Sequence, residues 1–237
     1  MSEEPNAHLA GRREWNDHVL AGLAPPSAIA FDFNGTLSDD EPLLCEIYMA
    51  LLAEHGRTLS QREYYDQLVG LSDAAIVAAW LGGDDAVGAE FIRERIRRYQ
   101  AATRNGATIS AEARAAVRYA AARAPLALVS SAFRCEIEPV LEASGLAPLF
   151  ACLVTADDVA NPKPDPECYL LMLERLGLAA AADAVAFEDT PAGVAAGLAA
   201  GLRVVGVTRT GSGAVLVGAA ACFERLDLDA VGSLFAR

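Results

Sequence analysis

The sequence predicts an α/β protein: a Rossmann-like core on a parallel sheet, with an all-helical cap domain inserted near its start. Three observations predict it. Beyond residue 110, short apolar runs ("LALVS", "ACLVT", "AVAFE", "RVVGV") alternate with helical segments, as strands of a parallel sheet alternate with crossover helices. Residues 41 to 99 read as four helices with no strand between them. An isolated apolar run, "AIAF", precedes those helices and ends on a carboxylate, Asp32.

Taken in order, residues 1–26 form a leader ending in Ala-Pro-Pro, with Trp15 expected to anchor it against the body. Residues 27–33 read as a short buried strand. The helical stretches "LLCEIYMALLAEHG", "QREYYDQLVG", "SDAAIVAAWLGG" and "AEFIRERIRRYQ" follow, punctuated by Gly56, Gly70 and Gly82-Gly83, which suit helix C-caps. The pattern then runs helix 110–123, strand 126–130, helix 134–144, strand 151–155, helix 165–176, strand 184–188, helix 191–200 and strand 203–207. A weaker strand near Ala221–Phe223 and a short final helix complete it. This divides the chain into an arm (1–26), a core (27–38 and 105–237) and a cap (39–104). Because the cap follows the first strand directly, it is expected to stand over the carboxyl edge of the sheet, where such folds bind ligands.

Composition removes several functions. A net charge of −13 disfavours nucleic acid and anionic membranes as partners. No apolar stretch reaches the ~18 residues of a membrane span, and residues 1–24 lack the apolar run of a signal peptide. Five scattered cysteines, with no C-x-x-C pair, fit small buried thiols in a reducing cytoplasm. The chain has no G-x-G-x-x-G, and its single lysine, Lys163, follows prolines instead of a glycine loop, so nucleotide-binding signatures are lacking.

The polar residues at the strand ends form a set. Asp32 closes the first strand, Ser130 and Ser131 the second, and Glu188-Asp189 a later one, while Lys163 sits in the stiff loop "NPKPDP". Singly, each has a structural reading: a loop-entry acid, a cap, helix N-terminal acids or a solvated charge. Together they suit phosphoryl transfer. Lys163 and Ser130 can hold phosphate oxygens, Asp32 and Asp189 can hold Mg²⁺, and Asp32 can attack phosphorus.

The order and detail of these segments resemble the haloacid dehalogenase superfamily over residues 28 to about 225. "FDFNGTLSD", "LALVSS", "NPKPDPECY" and "VAFEDTPAGVAAGLAAGLRVVGV" look like its four motifs, the last two in the manner of the phosphatase and beta-phosphoglucomutase-like branch with a helical cap. The resemblance implies Asp32 as nucleophile, Ser130 and Lys163 orienting the phosphoryl group with Ser131 beside them, and Mg²⁺ on Asp32, Asp189 and the main-chain carbonyl of Asn34, with Glu188 nearby. It implies a Mg²⁺-dependent phosphatase of a small phosphorylated metabolite. The alternatives are a non-catalytic module on the same fold, a dehalogenase or a phosphotransferase.

One position departs from the pattern. Asn34 stands where the family carries its acid/base, and an amide has no proton to give a leaving alkoxide. Acid help is worth 10²–10⁴-fold, or roughly 3–5 kcal/mol of barrier. The expectation is a slow catalyst, or one limited to groups that leave unprotonated, such as acyl phosphates. Dehalogenases need no metal, which leaves "FEDT" unexplained, and a phosphonatase needs a cap lysine that this chain lacks. Leu44 occupies the hinge position where relatives often carry His. Asp73, in "LVGLSD", falls where a mutase has a phosphate-holding arginine and would repel a second phosphate. Specificity is expected from cap residues, with Tyr48, Tyr64, Tyr65 and Arg93 as candidates.

Overall fold

The computed structural model describes residues 24–82, 85–178, 183–210 and 216–236; Trp15 lies outside them. Six parallel strands make one sheet in the order β3-β2-β1-β4-β5-β6. They are β1 (Ala28–Phe31), β2 (Leu126–Val129), β3 (Phe150–Val154), β4 (Ala184–Glu188), β5 (Arg203–Val207) and β6 (Ala221–Phe223). The first strand is thus central. After β3 the chain returns to the other side of β1, so the topological switch lies between β1's two neighbours, β2 and β4. The carboxyl ends of these three strands define the place for a site.

The strands read as unbroken apolar runs because both faces of the sheet are covered. Alternate residues then pack in two different cores. Ile29, Phe31, Leu128, Val185, Phe187 and Val205 meet helices α5 (Ala111–Ala121), α6 (Arg134–Ser144) and α9 (Leu228–Gly232). On the other face Ala28, Ala30, Ala127, Ala184 and Ala186 present a flat, small-residue surface to α7 (Glu167–Arg175) and α8 (Pro191–Ala199). A Cβ at Gly197 of α8 would lie 2.8 Å from Val204 Cγ2, so the helix seats close on the sheet.

Among the described residues, the named elements between β1 and α5 are all helical: α1 (Glu41–Glu54), α2 (Gln61–Glu63) running into a π-helical turn (Tyr64–Leu68), α3 (Asp73–Leu81) and α4 (Asp85–Thr103). Their ends follow local chemistry. Ser60 and Glu63 form a reciprocal capping box, the Ser72 hydroxyl accepts from Ala75 N, and Gly82 closes α3 in the left-handed region at φ +82°. Long α4 buries Phe91, Arg95, Tyr99 and Thr103, one face at four-residue spacing.

The expected strands and helices all occur, with ends shifted by at most four residues, and none of the described helices is long and apolar enough to cross a membrane. The five cysteines are free; two are buried, but Cys135 is exposed, so the buried-thiol expectation fails for it. Cys135, the second residue of α6, faces solvent because Ile137, Val140 and Leu141 take the inward face.

Phe31 anchors the larger core, stacked on Phe187 at 5.3 Å and edge-on to Phe150 at 6.4 Å. Phe31→Ala should therefore destabilise the protein by about 3–5 kcal/mol, the usual cost of emptying a buried aromatic site. Denaturant midpoints measure it; a loss below about 1 kcal/mol would mean the core closes over the gap.

Candidate active site

The sheet sets the frame. Asp32 follows β1 directly, and its N–H donates to Phe187 O at 3.0 Å, holding the residue against β4. Ser130 follows β2; its N–H donates to Val154 O at 2.9 Å, and its Oγ accepts from Ala132 N at 3.1 Å. Ser131 is half-buried beside it, and both serines line the cavity described below. Glu188 is the last residue of β4, and Asp189 precedes Thr190, whose hydroxyl caps α8 by accepting from Gly193 N at 3.0 Å.

Lys163 reaches into this edge from the loop before α7, and its side chain is buried. Its Nζ donates to Asp32 Oδ1 at 2.7 Å, Glu188 Oε1 at 2.7 Å and the Val129 carbonyl at 2.9 Å. Burial alone would lower its pKa, but the charges of Asp32 and Glu188 outweigh burial and raise it above the lysine range. The ammonium is permanently charged. Tyr169, on α7, donates its hydroxyl to the same Glu188 oxygen.

Three carboxylates converge here: Asp32, Glu188 and Asp189 each bring an oxygen within 4.8 Å of the others. Burial pushes Glu188 up to about 7 against the pull of Lys163, and burial with the charges of Asp32, Glu41 and Glu188 raises Asp189 well above the carboxylate range. Asp189 Oδ1 accepts from the Thr36 hydroxyl at 3.2 Å, while its buried Oδ2 has no hydrogen-bond partner among the described residues. An orphaned carboxylate oxygen in a three-acid cluster with one ammonium fits a hard divalent cation. Two glycines permit the crowding. A Cβ on Gly35, at φ +73°, would fall 2.1 Å from Asp189 Oδ2, and one on Gly193 would fall 1.9 Å from Glu188 Oε2.

The loop after β1 folds back on itself. Ser38 N donates to Phe33 O at 2.8 Å and Gly35 N to Ser38 O at 2.9 Å. Asn34 donates its side-chain amide to Asp40 Oδ2 at 2.9 Å, and Tyr99 of α4 donates its hydroxyl to the same oxygen. Burial pushes Asp40 up to about 6, moderated by these hydrogen bonds.

Facing the strand ends across a cavity of about 100 Å³ are Glu41, Tyr48, Tyr64, Asp73 and Arg95 of the cap. Arg95 is buried and donates from one nitrogen to Asp73 and from another to Glu136 of α6, tying cap to core; its Nε has no partner among the described residues. Tyr48 donates to Asp73 as well. The Tyr64 hydroxyl donates to Glu41 Oε2 at 2.8 Å.

The strand-end residues predicted from sequence therefore meet at one edge, and Tyr48 and Tyr64 line the cavity as expected. Tyr65 is half-buried and outside the lining. Arg93 is corrected: it is exposed and pairs with Glu90, because two residues along a helix turn a side chain by about 200°. Sequence reading missed Glu41, Arg95, Asp40 and Tyr169. Arg95 left a signal, a charge in the apolar row Phe91-Arg95-Tyr99.

With the geometry in hand, the family model for haloacid dehalogenase-like hydrolases matches residues 29–207. The chain belongs to this family. A phosphorylated carbohydrates phosphatase of Thermotoga maritima is 31% identical over 191 residues, which cover 77% of this chain and 86% of that protein. Validoxylamine A 7'-phosphate phosphatase of Streptomyces hygroscopicus subsp. limoneus is 42% identical over 88 residues, spanning only 41% of its length. Among solved structures, a mutant of CbbY from Rhodobacter sphaeroides in complex with xylulose-(1,5)bisphosphate superposes with TM-score 0.74 at 25% identity, covering 85% of this chain and 95% of that one. The superposition, which spans 95% of the CbbY chain, shows that the two proteins share the fold.

Arg95→Met would strand two carboxylates, the buried Glu136 and the half-buried Asp73, without their cation. The expected loss is about 3–5 kcal/mol, the scale for breaking a buried ion pair from one side. Chemical denaturation of both proteins checks it; an unchanged midpoint would mean that water already serves these carboxylates.

Proposed function

We propose that the protein is a Mg²⁺-dependent phosphatase acting on a phosphate monoester of a sugar or similar small metabolite in the cytoplasm, with residues 39–104 as a cap over a core of 27–38 and 105–237. The observation that carries this reading is Lys163 Nζ, 2.7 Å from both Asp32 and Glu188, beside the orphaned Asp189 Oδ2. A nucleophilic carboxylate, a fixed ammonium and a cation-seeking oxygen in one cluster are what phosphoryl transfer from an ester requires.

In this reading Asp32 attacks phosphorus through one carboxylate oxygen, giving an aspartyl-phosphate that water then hydrolyses. Lys163 holds Asp32 in place and offsets charge on the phosphoryl oxygens. Ser130, with Ser131 beside it, donates to those oxygens. Asp32, Asp189 and the carbonyl of Asn34 would hold Mg²⁺, with Glu188 behind them; the ion supplies charge neutralisation between carboxylate and phosphate. The Asn34 side chain, engaged by Asp40, gives no proton. One phosphate suits the site better than two. The cations lining the cavity are Lys163 and Arg95, and each already answers two carboxylates.

Two experiments test this. Asp32→Asn should abolish phosphate release while circular dichroism and melting stay near wild type, and exhaustive chelation should do the same to the wild-type protein until Mg²⁺ is restored. Turnover surviving both would remove the aspartyl-phosphate route. Lys163→Ala is expected to lower kcat at least about 10²-fold, the scale for a preorganised charge. Lys163→Arg should recover little of it, since a planar fork cannot occupy the place of a compact ammonium among three acceptors. A mild effect of the alanine change would place phosphate binding elsewhere.

A further inference from the structure

The phosphatase reading leaves one chemical step without an agent. A departing alkoxide needs a proton, and Asn34 has none to give. Four acids line the cavity, and three are committed. Asp32 is bound by Lys163, Asp189 belongs to the three-carboxylate cluster, and Asp73 is bound by Arg95 and Tyr48. The fourth is Glu41, the first residue of α1, which is buried and stands outside the carboxylate cluster.

We propose that Glu41 replaces the missing acid: it protonates the leaving oxygen and then acts as base toward the hydrolytic water. Its Oε2 accepts from the Tyr64 hydroxyl at 2.8 Å, which makes Oε2 the carbonyl-like oxygen and leaves the acid's proton on Oε1. No residue among those described bonds to Oε1. Tyr64 sits in the π-helical turn, a local distortion often found where a side chain is aimed at a site.

The surroundings keep the group protonated near neutrality. Burial is the largest influence, followed by the charge of Asp40 and, more weakly, of Asp32, against the lowering hydrogen bond from Tyr64; together they push Glu41 up to about 8. The titratable groups facing it are Asp40 and Cys45 on its own segment, Tyr64 and Tyr65 on the π-helical turn, and Asp32 and Asp189 on the core. No cation among the described residues bonds to it, because Lys163 is taken by Asp32 and Glu188, and Arg95 by Asp73 and Glu136.

The steps balance. Asp32 forms the P–O bond, the ester P–O bond breaks, its electron pair stays on the leaving oxygen, and that oxygen takes the Oε1 proton to depart as an alcohol. Glu41 is then a carboxylate. It takes a proton from the water that attacks phosphorus, which frees phosphate, restores Asp32 and returns Glu41 to its acid form. No net proton is consumed by the residue.

This inference rests on the phosphatase reading, and the test separates the two. Measure kcat/KM for acetyl phosphate, para-nitrophenyl phosphate and an alkyl sugar phosphate, for the wild type and for Glu41→Gln, which keeps the shape of the neutral acid and an acceptor for Tyr64. The wild type should depend only shallowly on the leaving group. Its alkyl-phosphate rate should fall as pH rises through about 8, where Glu41 loses its proton, while acetyl phosphate, needing no acid, should show no such limb. Glu41→Gln should lose about 10²-fold or more in kcat/KM on the alkyl ester and lose the alkaline limb, while kcat/KM on acetyl phosphate, which ends at loss of the leaving group, falls far less; kcat should drop on every substrate, because hydrolysis of the aspartyl-phosphate loses its base. Equal leaving-group slopes in wild type and Glu41→Gln would overturn the role of Glu41 while leaving the phosphatase standing, as would an alkaline limb that survives in the variant. The wild-type pH profile decides the matter even where the variant folds poorly: an alkyl-ester rate flat through pH 8 overturns it. A wild type inactive on all three substrates in Mg²⁺ would sink both readings.

Discussion

One ammonium holds the site together. Lys163 lies between Asp32 and Glu188, buried, with its remaining bond to the Val129 carbonyl. Taking an ammonium and two carboxylates out of water costs several kcal/mol per ion, and such a cluster persists only if each charge finds partners. The sheet order supplies them. Because β1 is flanked by β2 and β4, the ends of these strands bring Asp32, the Val129 carbonyl and Glu188 around one point, and the loop before α7 delivers the lysine there. The charges still do not balance within the protein, since Asp189 adds a third carboxylate with an unpaired oxygen. The fold has built a deficit of positive charge, and a site with that deficit invites a cation and, with it, a phosphate.

The same crowding explains the asymmetry of the core. One face of the sheet carries phenylalanines and branched aliphatics, the other mostly alanines. The small face lets α8 approach closely enough for Gly193, in its first turn, to pass against Glu188. A larger residue at that turn would push the carboxylate out of reach of Lys163. Gly35 does the same for Asp189 from the other side, its left-handed backbone turning the loop under the acid. Packing and chemistry are therefore not separable here: the distances in the site are set by which residues lack a side chain.

Much of this was legible in the sequence, and the reason is geometric. A strand of a parallel sheet ends in one place, so a polar residue after an apolar run is placed by the topology alone; Asp32, Ser130 and Glu188-Asp189 were found that way. Lys163 was found because it is the chain's single lysine and sits in a proline-stiffened loop. Helical residues are harder. A side chain's direction there depends on the phase of the helix, at about 100° per residue, and on which neighbour the helix meets. Arg93 was singled out and lies outside, whereas Arg95 points inward and bridges cap and core. The spacing of Phe91, Arg95 and Tyr99 carried that information, but reading it required treating a charge as a member of an apolar row. Glu41 gave less warning still. An acid in the first turn of a helix reads as a dipole contact, and only the tertiary structure shows Tyr64 above it and the cavity before it.

Asn34 looks different once Asp40 is seen beside it. The two side chains are hydrogen-bonded at 2.9 Å, and Asp40 is fully buried, held also by Tyr99 and by Gly35 N at 3.3 Å. A carboxylate at position 34 would face a second carboxylate at that distance, and the guanidinium on this loop, Arg209, is already turned to Asp39 and to the carbonyls of Gly35 and Thr36. Two such acids cannot both ionise; they must share a proton, which ties up the acid that a leaving group would need. An amide removes the conflict by donating to Asp40, so the residue at 34 and the residue at 40 constrain one another. With the loop settled in this way, its amide keeps the backbone carbonyl of Asn34 in position and leaves proton transfer to a group outside the loop. Among the described residues, the acid that lines the cavity with one carboxyl oxygen left unbonded is Glu41, one residue beyond Asp40 and across the cavity from Asp32. The missing acid and the extra one are then two sides of a single rearrangement in the segment that joins core to cap.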